Sequence, residues 1–153
     1  MLETPHVAVG AAIATKIPNP FISIPLAFAS HILLDRIPHW NPHFYTETKK
    51  YGRPKTTSTA LAGADVLIAL ALGIAIAALA LPNYAHAATI LAASLASVLP
   101  DLIKSPFFFL KKQKGLIQKW VVFERSLQVE TTFAVGMFTQ AAIIVASIVW
   151  IYS

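Results

Sequence analysis

From Thr56 to Pro100 the chain carries a single charged side chain, Asp65, and from Thr131 to Ser153 it carries none. As helices, apolar runs of about 20 residues cross the ~30 Å hydrocarbon core of a bilayer, at about 1.5 Å per residue. No water is present there to satisfy exposed peptide groups, so helix is the available form. Of the 153 residues, 56% are hydrophobic and only 12% are charged. The expected fold class is all-α: an integral membrane helical bundle, with residues 1–153 as a single domain.

Five segments make up the expected bundle. The first, about Pro5 to Lys16, is short and stops at "IPNP", because proline fixes φ and lacks an N–H. The second runs from about Phe21 to Ile37 and ends before Pro38. The others cover about Ser58 to Leu81, Ala85 to Ile103 and Gln128 to Tyr152. The first two pair as a short or re-entrant hairpin. "MLETPH" lacks the basic region of a signal peptide, so the first apolar segment is expected to remain in the mature protein.

The net charge of +5 is explained by topology. Arg36, Lys49, Lys50, Arg53 and Lys55 lie between the second and third segments. Lys104, Lys111, Lys112, Lys114, Lys119 and Arg125 lie between the fourth and fifth. These are eleven of the twelve basic residues, and alternating helices put both loops on one face. The positive-inside rule makes that face cytoplasmic, in a cell (inner) membrane. Anionic lipid headgroups are the expected partner and nucleic acid is not. "FFFLKKQKGLIQKW" reads as an interfacial amphipathic stretch. Small-residue stretches, "ALAGAD" and "AASLAS", permit close helix packing, within one chain or in a homo-oligomer.

The remaining ionisable groups converge on one depth. His6 opens the first segment, and His31 and Asp35 close the second. Asp65 lies about two turns into the third, Asp101 near the end of the fourth and Glu130 in the first turn of the fifth. Such groups are costly in lipid and face a bundle interior or a wet cavity. His31 and Asp35, four apart, point from one helix face. An imidazole and a carboxylate so placed share a structural hydrogen bond or a divalent metal ion. With no cysteine in the chain, that ion is Zn²⁺ first, with Mn²⁺ or Fe as alternatives. His39, His43 and His86 read as loop or interface histidines.

At these residues the chain resembles a family. "TPHVAVGAAI", "SHILLDRIPHW" and "VLPDLI" resemble the YdjM-type membrane-bound metal-dependent hydrolase-like proteins, similar in turn to zinc-dependent phospholipase C. The resemblance maps a His-x-x-x-Asp pair onto His31 and Asp35, an early His onto His6 and a Pro-Asp element onto Pro100 and Asp101. It covers three short motifs. "PDLIKSP" and "YGRPKTTSTA" lack the further Asp and His residues of the family pattern, which implies a reduced metal set.

The leading functional expectation is a metal-dependent hydrolase acting on a lipid-linked phosphate ester. His6, His31 and Asp35 would hold the metal, Asp65 and Asp101 would serve as catalytic groups, and Arg36, Arg53 and Lys55 would bind phosphate. The alternative is a non-enzymatic membrane protein: a cation or proton carrier, or a subunit of an assembly.

Overall fold

Helix is the only regular structure in the molecule. A computed structural model describes residues 1–153 as α1 (Glu3–Lys16), α2 (Pro20–Leu34), α3 (Phe44–Tyr51), α4 (Thr56–Ala78), α5 (Tyr84–Phe109), α6 (Gly115–Leu127) and α7 (Phe133–Tyr152). The five expected apolar segments are α1, α2, α4, α5 and α7. The count was short by two, because α3 and α6 are short polar or amphipathic helices inside the basic loops. In α3, "FYTETKKY", charge masks the helix from a search for apolar runs.

α4, α5 and α7 are long and apolar enough to cross a membrane. Their outer faces carry Leu67, Ile68, Leu95, Phe138 and Val149, all well exposed. In water this would be a large apolar patch; against acyl chains it needs no cover. The buried stripe on α4, Asp65, Ala69, Gly73, Ile76 and Ala77, recurs at helical spacing and faces the bundle.

α1 is the centre of the bundle and packs against α2, α4, α5 and α7. Its 14 residues reach only about 21 Å. Small side chains let the neighbours close around it: Ala8, Ala11, Ala12 and Ala14 are fully buried. Gly10 is required where α1 meets α5, since a Cβ there would lie 2.8 Å from Ser97 Cβ and 2.9 Å from the Ala93 carbonyl. α2 folds back along α1 as the other arm of a helical hairpin. Ala27, Ile76, Ala77, Ile90, Ala93 and Ala96 complete an apolar core with Ala11 and Ala14. A separate aromatic cluster, Phe107 and Phe108 with Phe44 and Tyr45, fastens α3 to the end of α5.

Three boundaries differ from expectation. α2 ends at Leu34 rather than Ile37, because the chain turns to pair with the segment before α7. There Val129 N donates to Asp35 O (3.1 Å), His39 N to Val129 O (3.0 Å) and Thr131 N to His39 O (2.9 Å). That pairing also holds 128–131 extended, so α7 begins at Phe133 and Glu130 precedes it instead of lying in its first turn. α5 continues through Pro100 and Pro106 to Phe109, and Trp120 Nε1 donates to the Pro100 carbonyl at 3.2 Å.

The ends of α2 and α5 and the starts of α1, α4 and α7 lie together, beside α3 and α6. With no native cysteine, single cysteines at Lys50 and Lys112 are expected to react with an impermeant maleimide from the same side of a sealed membrane. Labelling from opposite sides would overturn this topology. A second expectation concerns Gly136, where an added Cβ would lie 2.3 Å from Trp40 N. Gly136→Ala should lower stability, because forced overpacking costs ~1–3 kcal/mol and outweighs the ~1 kcal/mol gained in helix propensity. Gly63→Ala, with open space around the new methyl, should be neutral or stabilising in the same detergent melt.

Candidate metal centre

His31 is one turn before Asp35, and both side chains are buried. Its ring is held by α5: Nδ1 lies 2.7 Å from the Ser97 carbonyl oxygen. A carbonyl only accepts, so Nδ1 carries the hydrogen and Nε2 presents its lone pair. That nitrogen faces Glu124 Oε1 at 3.1 Å, Asp101 Oδ1 at 3.3 Å and Asp35 Oδ2 at 3.5 Å. A lone pair set among three carboxylates is repulsive. A proton or a metal cation at Nε2 is what makes the arrangement stable.

His6 reaches the same point from α1. It is fully buried and stacks on His31, with ring centroids 3.9 Å apart and planes 15° from parallel. Its Nε2 lies 3.4 Å from Asp35 Oδ1. Neither ring nitrogen of His6 has a hydrogen-bond partner, a condition that costs about 1–3 kcal/mol for a buried polar group. Ligand atoms around a tetrahedral Zn²⁺ stand about 3.3 Å apart, given bonds of about 2.0–2.1 Å. One ligand atom from each of His6, His31 and Asp35 lies within 4.8 Å of the other two, so the three side chains could hold a divalent ion. His31, Asp101 and Glu124 form a second group of the same kind.

Other contacts orient these groups. Gln128 Nε2 donates to Asp35 Oδ2 at 3.1 Å, and the Met1 amino group also contacts Asp35. Lys104 Nζ lies 2.5 Å from Asp101 Oδ1 and 2.9 Å from Glu124 Oε2. His39 is buried too, but both its nitrogens are occupied. Nδ1 donates to the Ile37 carbonyl at 2.8 Å, and Nε2 accepts from Asn41 Nδ2 at 3.1 Å. Burial holds the His39 imidazole below its usual range. It is a neutral structural histidine, as its loop position implies.

A pocket of about 110 Å³ opens above the centre, with Glu3, Asp65, Asp101, Lys104, Glu124 and Arg125 in its walls and Phe44, Phe108 and Val121 on its apolar side. His6, His31, Asp35 and Asp101 are brought together at and below its floor. Asp65 sits in the wall in a different capacity. Its Oδ2 accepts from Glu3 N at 2.5 Å and its Oδ1 from Thr4 Oγ1 at 2.6 Å. It caps the first turn of α1 from a neighbouring helix, and both oxygens are engaged.

The cations expected to hold phosphate lie elsewhere. Arg36 is on an exposed turn. Arg53 and Lys55 border a separate shallow depression beside Tyr51. The pocket's own cations are Lys104 and Arg125, whose guanidinium lies over the Tyr45 ring at 4.4 Å. Glu124 and Lys104 stand outside the expected set of site residues. The structure finds Glu124 by burial: it and Val121, three residues apart, are the buried positions of α6.

Compared with family models, characterised proteins and solved structures, the chain has no match. The resemblance at His6, His31–Asp35 and Pro100–Asp101 therefore rests on those motifs alone.

Asp65→Ala should cost ~1–2 kcal/mol of stability, the usual loss for removing an N-terminal cap, while bound metal per chain stays at the wild-type level. A detergent melt paired with metal analysis checks both. Loss of metal without loss of stability would instead make Asp65 a ligand.

Proposed function

We propose that this protein is a membrane-embedded metal-dependent hydrolase of a lipid-linked phosphate ester, working at the cytoplasmic interface of a cell membrane. The observation that supports it most is His6: a buried imidazole without a partner, stacked on His31 and aimed at Asp35, beneath a polar pocket at one end of the spanning helices.

His6, His31 and Asp35 would hold the ion, and two imidazoles with one carboxylate suit Zn²⁺. The ion would supply Lewis-acid polarisation and a bound water of lowered pKa. The chain's own groups supply the rest. Glu124 and Asp101, each against His31 Nε2, are positioned to take a proton from water entering the pocket. Lys104 and Arg125 present positive charge toward a phosphate. A lipid headgroup reaches the pocket without its tails leaving the membrane.

The carrier reading needs polar groups continuing toward the far face. The buried hydroxyls there are already satisfied by their own helices: Ser94 Oγ by Ile90 O (2.8 Å), Thr89 Oγ1 by Ala85 O (2.9 Å) and Ser147 Oγ by Ile143 O (2.8 Å). Between them lies the alanine-rich core. This favours a one-sided site.

The decisive substitution is Asp35→Asn, which keeps size and a carbonyl oxygen but removes the charge that balances a cation. Bound Zn²⁺ or Mn²⁺ should fall by more than the ~10–100-fold typical of residues behind the ligands, and phosphoester hydrolysis in nanodiscs should be lost while the fold persists. If the variant retains both metal and turnover, the proposal fails.

A further inference from the structure

The two groups of candidate ligands differ in one respect. His6, His31 and Asp35 have no lysine or arginine among them, although the Met1 amino group contacts Asp35. His31, Asp101 and Glu124 have one: the Lys104 ammonium lies between the two carboxylates, at 2.5 and 2.9 Å.

We propose that Lys104 is a built-in cation standing where a two-ion centre would carry its second metal, so that this centre takes one divalent ion. The inference rests on the metal-centre reading above and makes it more specific.

Three observations carry it. The first is the supply of lone pairs. Both groups use His31 Nε2, and Nδ1 is committed to Ser97. One imidazole nitrogen has one lone pair and binds one ion; an ion on His6, His31 and Asp35 therefore leaves the second position only Asp101 and Glu124, the two carboxylates that Lys104 bridges.

The second is charge. The carboxylates in contact with His31 or Lys104 are Asp35, Asp101 and Glu124. Buried charges persist only when paired. Lys104 already pairs Asp101 and Glu124, and the Met1 amino group already contacts Asp35, so a second divalent ion beside the lysine would add two positive charges to carboxylates that have cation partners.

The third is geometry. Lys104 is one turn from Asp101 on α5, and its side chain is only 15% exposed yet borders the pocket. Lys104 meets Asp101 and Glu124 as ion pairs and borders the pocket; an ammonium has three donors, and a phosphoryl oxygen is a complementary acceptor for it. The positive charge that a second metal would bring to a transferring phosphate is thus covalently attached.

The test is metal stoichiometry on the full chain in nanodiscs, equilibrated with Zn²⁺ or Mn²⁺, desalted and analysed. Wild type should hold one equivalent. Lys104→Met, which leaves Asp101 and Glu124 without their cation, should hold one more, and its melting temperature should rise with added metal by more than that of wild type. Lys104→Arg, which keeps the charge, should gain nothing. If Lys104→Met does not fold, Lys104→Gln gives the same readout with a polar side chain of similar length. Two equivalents in wild type, or a folded neutral variant that gains no ion, would overturn the role of Lys104. If wild type binds none while Lys104→Met binds one, Lys104 does fill a metal position, but the one-ion centre and the hydrolase reading both fall. If neither binds metal, the role of Lys104 falls with them.

Discussion

The hydrogen bond from His31 Nδ1 to the Ser97 carbonyl orders the centre. It crosses from α2 to α5, and it decides which nitrogen of His31 is free. With Nδ1 spent, Nε2 must face the carboxylates of Asp35, Asp101 and Glu124. His6 then stacks on a ring whose plane is already set. A ligand whose other nitrogen donates to a backbone carbonyl is held in one tautomer and one orientation, the usual condition of an imidazole that binds metal. The same bond joins the helix carrying His31 and Asp35 to the helix carrying Asp101 and Lys104.

That bond requires α1, α2 and α5 to approach closely, and the sequence of α1 permits it. The small residues of α1, Ala8, Gly10, Ala11, Ala12 and Ala14, are buried and leave little bulk to hold its neighbours apart. Without a hydrophobic driving force between helices in lipid, such close backbone contact supplies the packing attraction. The Gly10 contact with Ser97 lies beside the carbonyl that anchors His31. A side chain there would press α1 away from the turn of α5 on which the imidazole depends.

How much of this was legible in the sequence differs by element. The apolar helices were, because an apolar run needs no tertiary information to declare itself; three of them are long and apolar enough to cross a membrane. His31 and Asp35 were, because helical spacing alone puts them on one face; His6 and Asp101 followed from their shared depth. The basic residues were not resolved correctly. Arg36, Arg53 and Lys55 fall in the right loop, but their directions depend on α3 and the turn before it. Asp65 shares the right depth and is spent on capping α1, which no pattern within α4 announces. Glu124 and Lys104 were hidden for a related reason. Their relevance depends on α6 folding back onto the end of α5, through Trp120 Nε1 to the Pro100 carbonyl and the cluster of Phe107, Phe108 and Val121.

The distribution of polarity across the bundle bears on what kind of site this is. At one end, ionisable groups from α1, α2, α5 and α6 meet at hydrogen-bonding distances. Toward the other end the interior is alanine and isoleucine, closed by a bond from His86 Nε2 to the Ala14 carbonyl at 3.0 Å. A pathway for ions would need partners at intervals along its length, since a charge in such a core without them is strongly disfavoured. A centre that works on a headgroup needs the reverse: a polar end, a dry floor that confines water to the pocket, and helices greasy enough to hold that end level with the ester. The chain shows a polar end and an apolar interior, which is the distribution the proposed function needs, and its scarcity of charge over most of its length leaves the few charged groups to gather at one end.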